Sequence, residues 1–267
     1  NAFDLCFDLQ GYYGNSRFVT DDNMCFISDD YRVSGGKQLN AFAGHNLSSY
    51  KIPEGITSIR NMSFHYGGEN LISVTLPNSI INVDALAFKD LPKLQYIYGP
   101  GSTTDNKGYV KNGELQLFLG TGITSYYIPE EVTALGTYLF EYNNDIKNIV
   151  LHDNVTTLGM DCFANCENLT SITLSAKISV FPFYCFKRSY NIEKIYFRSL
   201  EPPQMIDATC PGGFFPEKEY EKLTIYVPNQ SKEKYLTAVG WEEFAKYVEG
   251  YEYTDLPQLD YYVSKDY

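Results

Sequence analysis

Apolar residues recur along this chain at a fixed interval. Between positions 123 and 191, three consecutive stretches of 23 residues share one skeleton. The last carries Leu169, Ile172, Leu174, Ile178, Phe181 and Phe186. One interval earlier stand Ile146, Ile149, Leu151, Val155, Leu158 and Phe163, and earlier again Ile123, Tyr126, Ile128, Val132, Leu135 and Phe140. In Leu169-Thr170-Ser171-Ile172-Thr173-Leu174 apolar and polar positions alternate at the end, as in a half-buried strand. Ile178 and Phe181 predict a return along a second face, with Phe186 closing the core from the far side. A period of this length marks a solenoid, in which each unit buries its apolar face only against its neighbours. The expected fold is a β-rich solenoid whose strands join in one stacked parallel sheet. Pro53, Pro77, Pro129 and Pro228 are expected to end strands, since proline donates no ladder hydrogen bond.

The period extends in both directions and is broken twice. Leu71, Val74, Leu76, Ile80, Val83 and Phe88 form a further unit, and Leu94 to Tyr98 a further strand. Residues 15–46 and 100–122 depart from the register, yet resemble each other: Asp22-Asn23 matches Asp105-Asn106, and Leu39-x-x-Phe42-x-Gly44 matches Leu115-x-x-Phe118-x-Gly120. Gly35-Gly36 and Asn112-Gly113 are two-residue turn signals, so each break predicts a β-hairpin insertion. Tyr50-Lys51-Ile52-Pro53-Glu54 and Tyr126-Tyr127-Ile128-Pro129-Glu130 follow them at a spacing of 76 residues, a higher-order repeat. Ala2 to Leu9 align with Cys162 to Leu169, so the chain is expected to open inside a unit. It begins without Met, and upstream sequence is expected to have been removed. Leu223 to Val227 predicts a last strand, Ser231 to Val239 a short helix, and Trp241 the apolar plug of a cap over 223–250. The solenoid is thus expected to span 1–250, with 251–267 an acidic, tyrosine-rich tail.

Composition removes several functions. The net charge of −12 leaves no basic field for nucleic acid, and no stretch approaches the roughly 18 apolar residues of a spanning helix. No nucleophile, metal-hydrolase or phosphate-loop motif is present. His45, His65 and His152 fall in different units and are expected on the surface or in loops. Asp21-Asp22 and Asp29-Asp30 lack the glycine and terminal glutamate of a calcium loop, so solvated turns are expected. No metal, cofactor or catalytic residue is predicted. Cys162 and Cys185 each precede a spine phenylalanine one interval apart, where a small buried residue fits; a reduced core pair is expected, a disulfide being the alternative.

These residues resemble the BspA-like, or Treponema pallidum-type, leucine-rich repeats, which repeat L-x-x-I-x-I-P-x-x-V-x-x-I-x-x-x-A-F. Leu71 to Phe88 and Leu169 to Phe186 carry the pattern, and Leu223-Thr224-Ile225-Tyr226-Val227-Pro228 to Trp241 resembles the family's terminal unit. The resemblance implies a right-handed, curved solenoid at the surface of, or secreted by, bacteria. It implies adhesion or binding to host or bacterial surface proteins rather than catalysis, and assigns no site.

The remaining candidate surface comes from strand geometry. Third and fifth strand positions point away from the core. The fifth positions are Tyr13, Lys51, Thr75, Tyr98, Tyr127, Val150, Thr173, Tyr196 and Tyr226; the third positions add Tyr96 and Lys194. Tyrosine is frequent throughout, with 24 residues. Strand propensity alone accounts for such placement, while tyrosine also suits interfaces. Tyr96, Tyr98, Tyr127, Tyr196, Tyr226, Lys51 and Lys194 are therefore the candidate ligand-binding residues. Protein ligands are the first expectation and glycans the alternative.

Overall fold

A computed structural model describes residues 11–13, 17–65, 67–182, 184–205 and 222–252. The expectations for residues 1–9, for the Gly- and Pro-rich stretch after Met205 and for residues 253–267 lie outside these.

Short parallel strands stack in the register set by the 23-residue interval. Ser125–Tyr127, Asn148–Val150, Ser171–Thr173, Lys194–Tyr196, Thr224–Pro228 and Val248–Tyr251 form one six-stranded ladder. Ile149, Ile172, Ile195 and Ile225 lie over one another in it, all fully buried. Ser49–Lys51, Ser73–Thr75 and Tyr96–Tyr98 form a separate ladder on the same side. The single parallel sheet expected from the repeat is thus two ladders, interrupted at the second hairpin. Strands end two residues before Pro53, Pro77 and Pro129, whereas Pro228 is the last residue of its strand and pairs with Tyr251.

The second face carries shorter strands, and here the hairpins belong to the stack. Cys25–Asp29 pairs with Lys37–Phe42, and Gly108–Lys111 with Glu114–Phe118, both antiparallel. The second strand of each hairpin then runs parallel to the following units: Leu39 lies beside Ile59 and Val83, and Leu115 beside Leu135 and Leu158. The hairpins are therefore rungs, not insertions that leave the solenoid. The second closes at Asn112 and Gly113, with φ of 53° and 81°, as a two-residue turn of the primed type requires. The expectation for Gly35-Gly36 is corrected. The first hairpin closes through a seven-residue connection, 30–36, because the Asp30 carboxylate is buried and organises the turn.

The phenylalanine spine runs through the hairpins as well. Phe42, Phe64 and Phe88 follow at centroid distances of 4.7 and 4.8 Å, and Phe118, Phe140, Phe163 and Phe186 at 4.9, 5.3 and 5.4 Å. The turns around Phe140, Phe163 and Phe186 are made by left-handed residues two before and two after the ring: Tyr138 and Tyr142, Asp161 and Asn165, and Tyr184 and Arg188. Gly159 sits where rungs approach most closely: an added Cβ would lie 2.3 Å from the Thr137 backbone nitrogen. Cys162 and Cys185 are buried free thiols, as are Cys25 and Cys166. Burial pushes the Cys25 and Cys166 thiols up to about 12.

At the C-terminal end the chain caps itself. Asn229–Ser231, Lys232–Thr237 and Glu242–Tyr247 form short helical turns before the strand Val248–Tyr251. Trp241 is fully buried, with Nε1 donating to the Pro203 carbonyl at 3.0 Å. Tyr235 donates to the Ser199 carbonyl at 3.0 Å and Tyr251 to that of Phe197 at 3.1 Å. No helix among the described residues is long and apolar enough to cross a membrane.

Candidate binding face

The outward strand positions form two adjacent columns, as the alternation requires. In the shorter ladder the columns are Ser49, Ser73, Tyr96 and Lys51, Thr75, Tyr98. In the longer they are Ser125, Asn148, Ser171, Lys194, Thr224 and Tyr127, Val150, Thr173, Tyr196, Tyr226, Glu249. Lys51, Tyr98 and Lys194 are exposed, while Tyr96, Tyr127 and Tyr226 are half-buried.

Tyr196 departs from the expectation, being only 7 % exposed. Its ring stacks on Tyr226 at 4.7 Å and meets the edge of Tyr251 at 5.9 Å. Tyr251 comes from a segment without sequence periodicity, which is why the cover was not anticipated. Burial raises the Tyr196 phenol, with Tyr226 adding to it. Tyr196 therefore joins the packing of the capped end, not the open face.

Tyr96 and Tyr98 lie at the far end of the shorter ladder, next to the second hairpin. Their rings are nearly parallel, 6.1 Å apart at the centroids. The Lys107 ammonium sits 3.8 Å from the centre of the Tyr96 ring and donates to the Gln95 carbonyl at 3.1 Å. Between this ledge and Tyr127 lies the turn that opens the hairpin. Asp105 Oδ1 accepts from Thr103 Oγ1 at 2.5 Å and from the Lys107 amide at 3.0 Å. The Glu131 carboxylate accepts from the Thr104 amide at 2.7 Å, and Tyr127 donates its hydroxyl to Glu130 at 2.9 Å. Behind the turn Tyr126 is buried. Burial pushes its phenol well up, and the nearby Asp105 carboxylate adds to the shift.

Lys107, Asp105 and Glu130 were not singled out from sequence. The available signal was the recurrence of Asp22-Asn23 and Asp105-Asn106. The first turn repeats the chemistry: Asp22 accepts from Thr20 Oγ1 at 2.5 Å and the Met24 amide at 3.0 Å, and from the Tyr50 hydroxyl at 2.7 Å. Asp21, Asp22, Asp29 and Asp105 are exposed, as the solvated turns expected for the first three require, and Asp22 and Asp105 also brace their turns. Asp30 departs from that expectation: it is buried, accepting from the Arg32 amide at 3.0 Å and Thr57 at 2.9 Å. Among the described residues no group of three or more His, Cys, Asp or Glu could hold a metal ion.

The histidines fall in turns and loops as expected, though they are not all on the surface. His152 is buried between rungs: Nε2 donates to the Pro129 carbonyl at 2.9 Å, and Nδ1 accepts from the Asn154 amide at 3.1 Å. His45 is buried with Nδ1 2.9 Å from Glu69, and His65 is half-buried, 3.4 Å from Asp90. Each bonds or faces a group 22 to 25 residues away, so the repeat itself recruits them as fasteners between rungs.

The stacked ladders, spine and terminal cap define a repeat solenoid of the leucine-rich kind. The BspA type leucine-rich repeat region matches residues 38–110 and 111–207, with six copies. The chain belongs to this family of leucine-rich repeat proteins. Several solved structures are similar. A leucine-rich cell surface protein from Faecalibacterium prausnitzii is 18 % identical, with a TM-score of 0.49 over 78 % of this chain and 60 % of that one. The Treponema pallidum leucine-rich repeat protein is 18 % identical, with a TM-score of 0.42 over 69 % of this chain and 81 % of its own. A leucine-rich repeat protein from Bacteroides ovatus is 18 % identical, with a TM-score of 0.46 over 81 % and 56 %. No curated protein matches the chain in sequence.

Proposed function

We propose that this chain is a non-catalytic binding protein, displayed at the cell surface or secreted, that engages protein ligands through the sheet face around Tyr96, Tyr98 and Tyr127. The observation that carries this reading is the ledge beside the second hairpin. Two parallel tyrosine rings, an ammonium and carboxylate-braced turns lie together there. Tyrosine offers a large amphipathic contact with little rotamer entropy to lose. The rungs on either side hold it, so little ordering is needed on binding. Lys51 and Lys194 would sit at the margins of this surface, and Tyr226 at the capped end.

A glycan-binding reading needs open ring faces on which sugars can lie. Here Tyr196 and Tyr226 cover one another, and Lys107 covers the Tyr96 face. This favours the protein reading, in which ring edges and hydroxyls also contribute.

The test is binding to immobilised extracellular-matrix proteins alongside a glycan array, with the triple substitution Tyr96→Ser, Tyr98→Ser and Tyr127→Ser. The expected outcome is binding to a protein and a loss of about tenfold or more in the triple variant, with the melting temperature nearly unchanged. An affinity that survives the triple substitution eliminates this face. Antibody labelling of intact cells checks the location.

A further inference from the structure

Pairing on the second face lapses between Thr157–Leu158 and Val180–Phe181, but among the described residues the second hairpin is where both strand faces and the ring spine break together. On the sheet face, hydrogen-bonded pairing stops at Tyr96–Tyr98 and resumes at Ser125–Tyr127. On the second face it stops at Asn82–Val83; the next strand, Gly108–Lys111, pairs with its hairpin partner and bridges Ser102 through Tyr109, with no pairing to Asn82–Val83. Among the described residues, ring contacts of the spine run Phe42 to Phe88 and Phe118 to Phe186, with none joining Phe88 to Phe118. The buried apolar residues divide just beyond this point, within the second hairpin. One cluster runs from Cys25 to Ile97 and takes in Tyr109, Leu117 and Leu119; the other runs from Leu115 to Val248.

Neighbouring rungs inside a block can be joined by backbone bonds on three sides. Between the units starting at Ile123 and Ile146, the Ile128 amide donates to Val150, Thr156 to Thr133, and Phe140 to Cys162. Across the boundary, among the described residues, the backbone bond is that of the Ile97 amide to the Asn106 carbonyl. Lysines add Lys107 to Gln95 and Lys111 to Asn82 at 2.9 Å. The chain crosses through Gly99-Pro100-Gly101, whose glycines have φ of 103° and 79°. What holds the two sides is mainly the side-chain clasp of Tyr109, Leu117 and Leu119. In a solenoid, cooperativity is the sum of such neighbour terms, and the chain parts where the term is weakest.

We propose that the second hairpin is a mechanical seam dividing the protein into two cooperative blocks, 17–98 and 102–252, and that the first opens at lower stress than the second. The order follows from the buried clusters: the second block holds the longer one and the Trp241 plug. The seam passes between Tyr98 and Tyr127. If the proposed binding face is correct, a ligand touching both would clasp the blocks together, and load that opened the seam would dismantle the face. The seam itself does not depend on that reading.

The test requires no ligand. Hydrogen exchange of the full chain in graded urea, resolved by peptide, reports Ser73–Thr75 and Tyr96–Tyr98 against Asn148–Val150 and Lys194–Tyr196. The fluorescence of Trp241, the sole tryptophan, reports the second block independently. The expected result is two transitions, the first block exchanging about tenfold or more faster at intermediate urea. Trp241 should stay native until the second transition. One shared midpoint for all these peptides and Trp241 would overturn the proposal. Leu117→Ala loosens the clasp and should widen the separation, while Ile149→Ala, inside the second block, should narrow it. Equal displacement of both transitions by Leu117→Ala would also overturn it.

Discussion

The two hairpins do the same job with different closures. Both begin with a threonine and an aspartate bracing a turn, with Asn23 and Asn106 left-handed at φ of 58° and 57°. Both put a leucine into the second-face ladder and a phenylalanine into the spine. The first then closes through seven residues held by Asp30, with Arg32 reaching Asp84 two rungs on at 3.2 Å. The second closes in two residues and uses no ion pair at its tip. Membership of the stack therefore depends on what enters the ladder and spine, while the connection outside them is free to vary. Polar bracing substitutes for turn chemistry where the backbone lacks it.

The largest test of this comparison removes the shared part. Phe42→Ala should cost about 3–5 kcal/mol, the usual range for a buried ring. Phe118→Ala should cost less, since Phe118 is only partly buried. Urea denaturation of both variants, followed through the block that contains the change, makes the comparison. Equal and negligible losses would show that the hairpins are insertions after all.

A smaller effect should come from the closure of the second hairpin alone. Gly113 has φ of 81°, and a Cβ there would lie 2.3 Å from Thr133 Oγ1. Gly113→Ala should cost about 1–2 kcal/mol, from the left-handed backbone of an L-residue. Thermal melting measures it.

The smallest effect should distinguish the first closure by its pH dependence. Burial raises the Asp30 carboxyl, but the donors around it, including the Arg32 amide, Thr57 and the Arg32 guanidinium, outweigh this and hold it below the usual range. Its folded value lies under its unfolded one. The stabilisation is therefore complete above about pH 4, the ordinary aspartate value, and is lost as pH falls through the folded value. Partial exposure of Arg32 limits its size. Acid titration of the first-block transition should be steeper in the native chain than in Asp30→Asn; identical slopes would remove Asp30 from the account.

The strand register, the core positions and the stacked thiols were legible because the interval of 23 residues places like residue over like. Ile149, Ile172 and Ile195 could be aligned without knowing the backbone. The hairpins misled because a rung is defined in space: residues 30–36 lengthen the count without moving Leu39 or Phe42 out of the stack. The cover on Tyr196 and the burial of His152 were hidden for another reason. Tyr251 reaches Tyr196 from an aperiodic segment, and His152 is held through backbone groups, Pro129 and Asn154, whose role no side-chain pattern signals. On the binding face, alternation placed Tyr98 and Lys51 outward, but the ammonium over Tyr96 comes from a hairpin residue outside the period.

The fixed rise per rung gives this architecture a ruler. Neighbouring strands lie about 4.8 Å apart, so one added 23-residue unit lengthens the molecule by one such step and leaves every existing contact in place. The span from Tyr50 to its counterpart Tyr126 amounts to three steps, roughly 14 Å. Duplication of that segment would carry a second tyrosine ledge outward by this distance, on the same side and facing the same way. Reach and valence in such a protein thus grow in whole increments, set by copy number instead of by redesign of the surface.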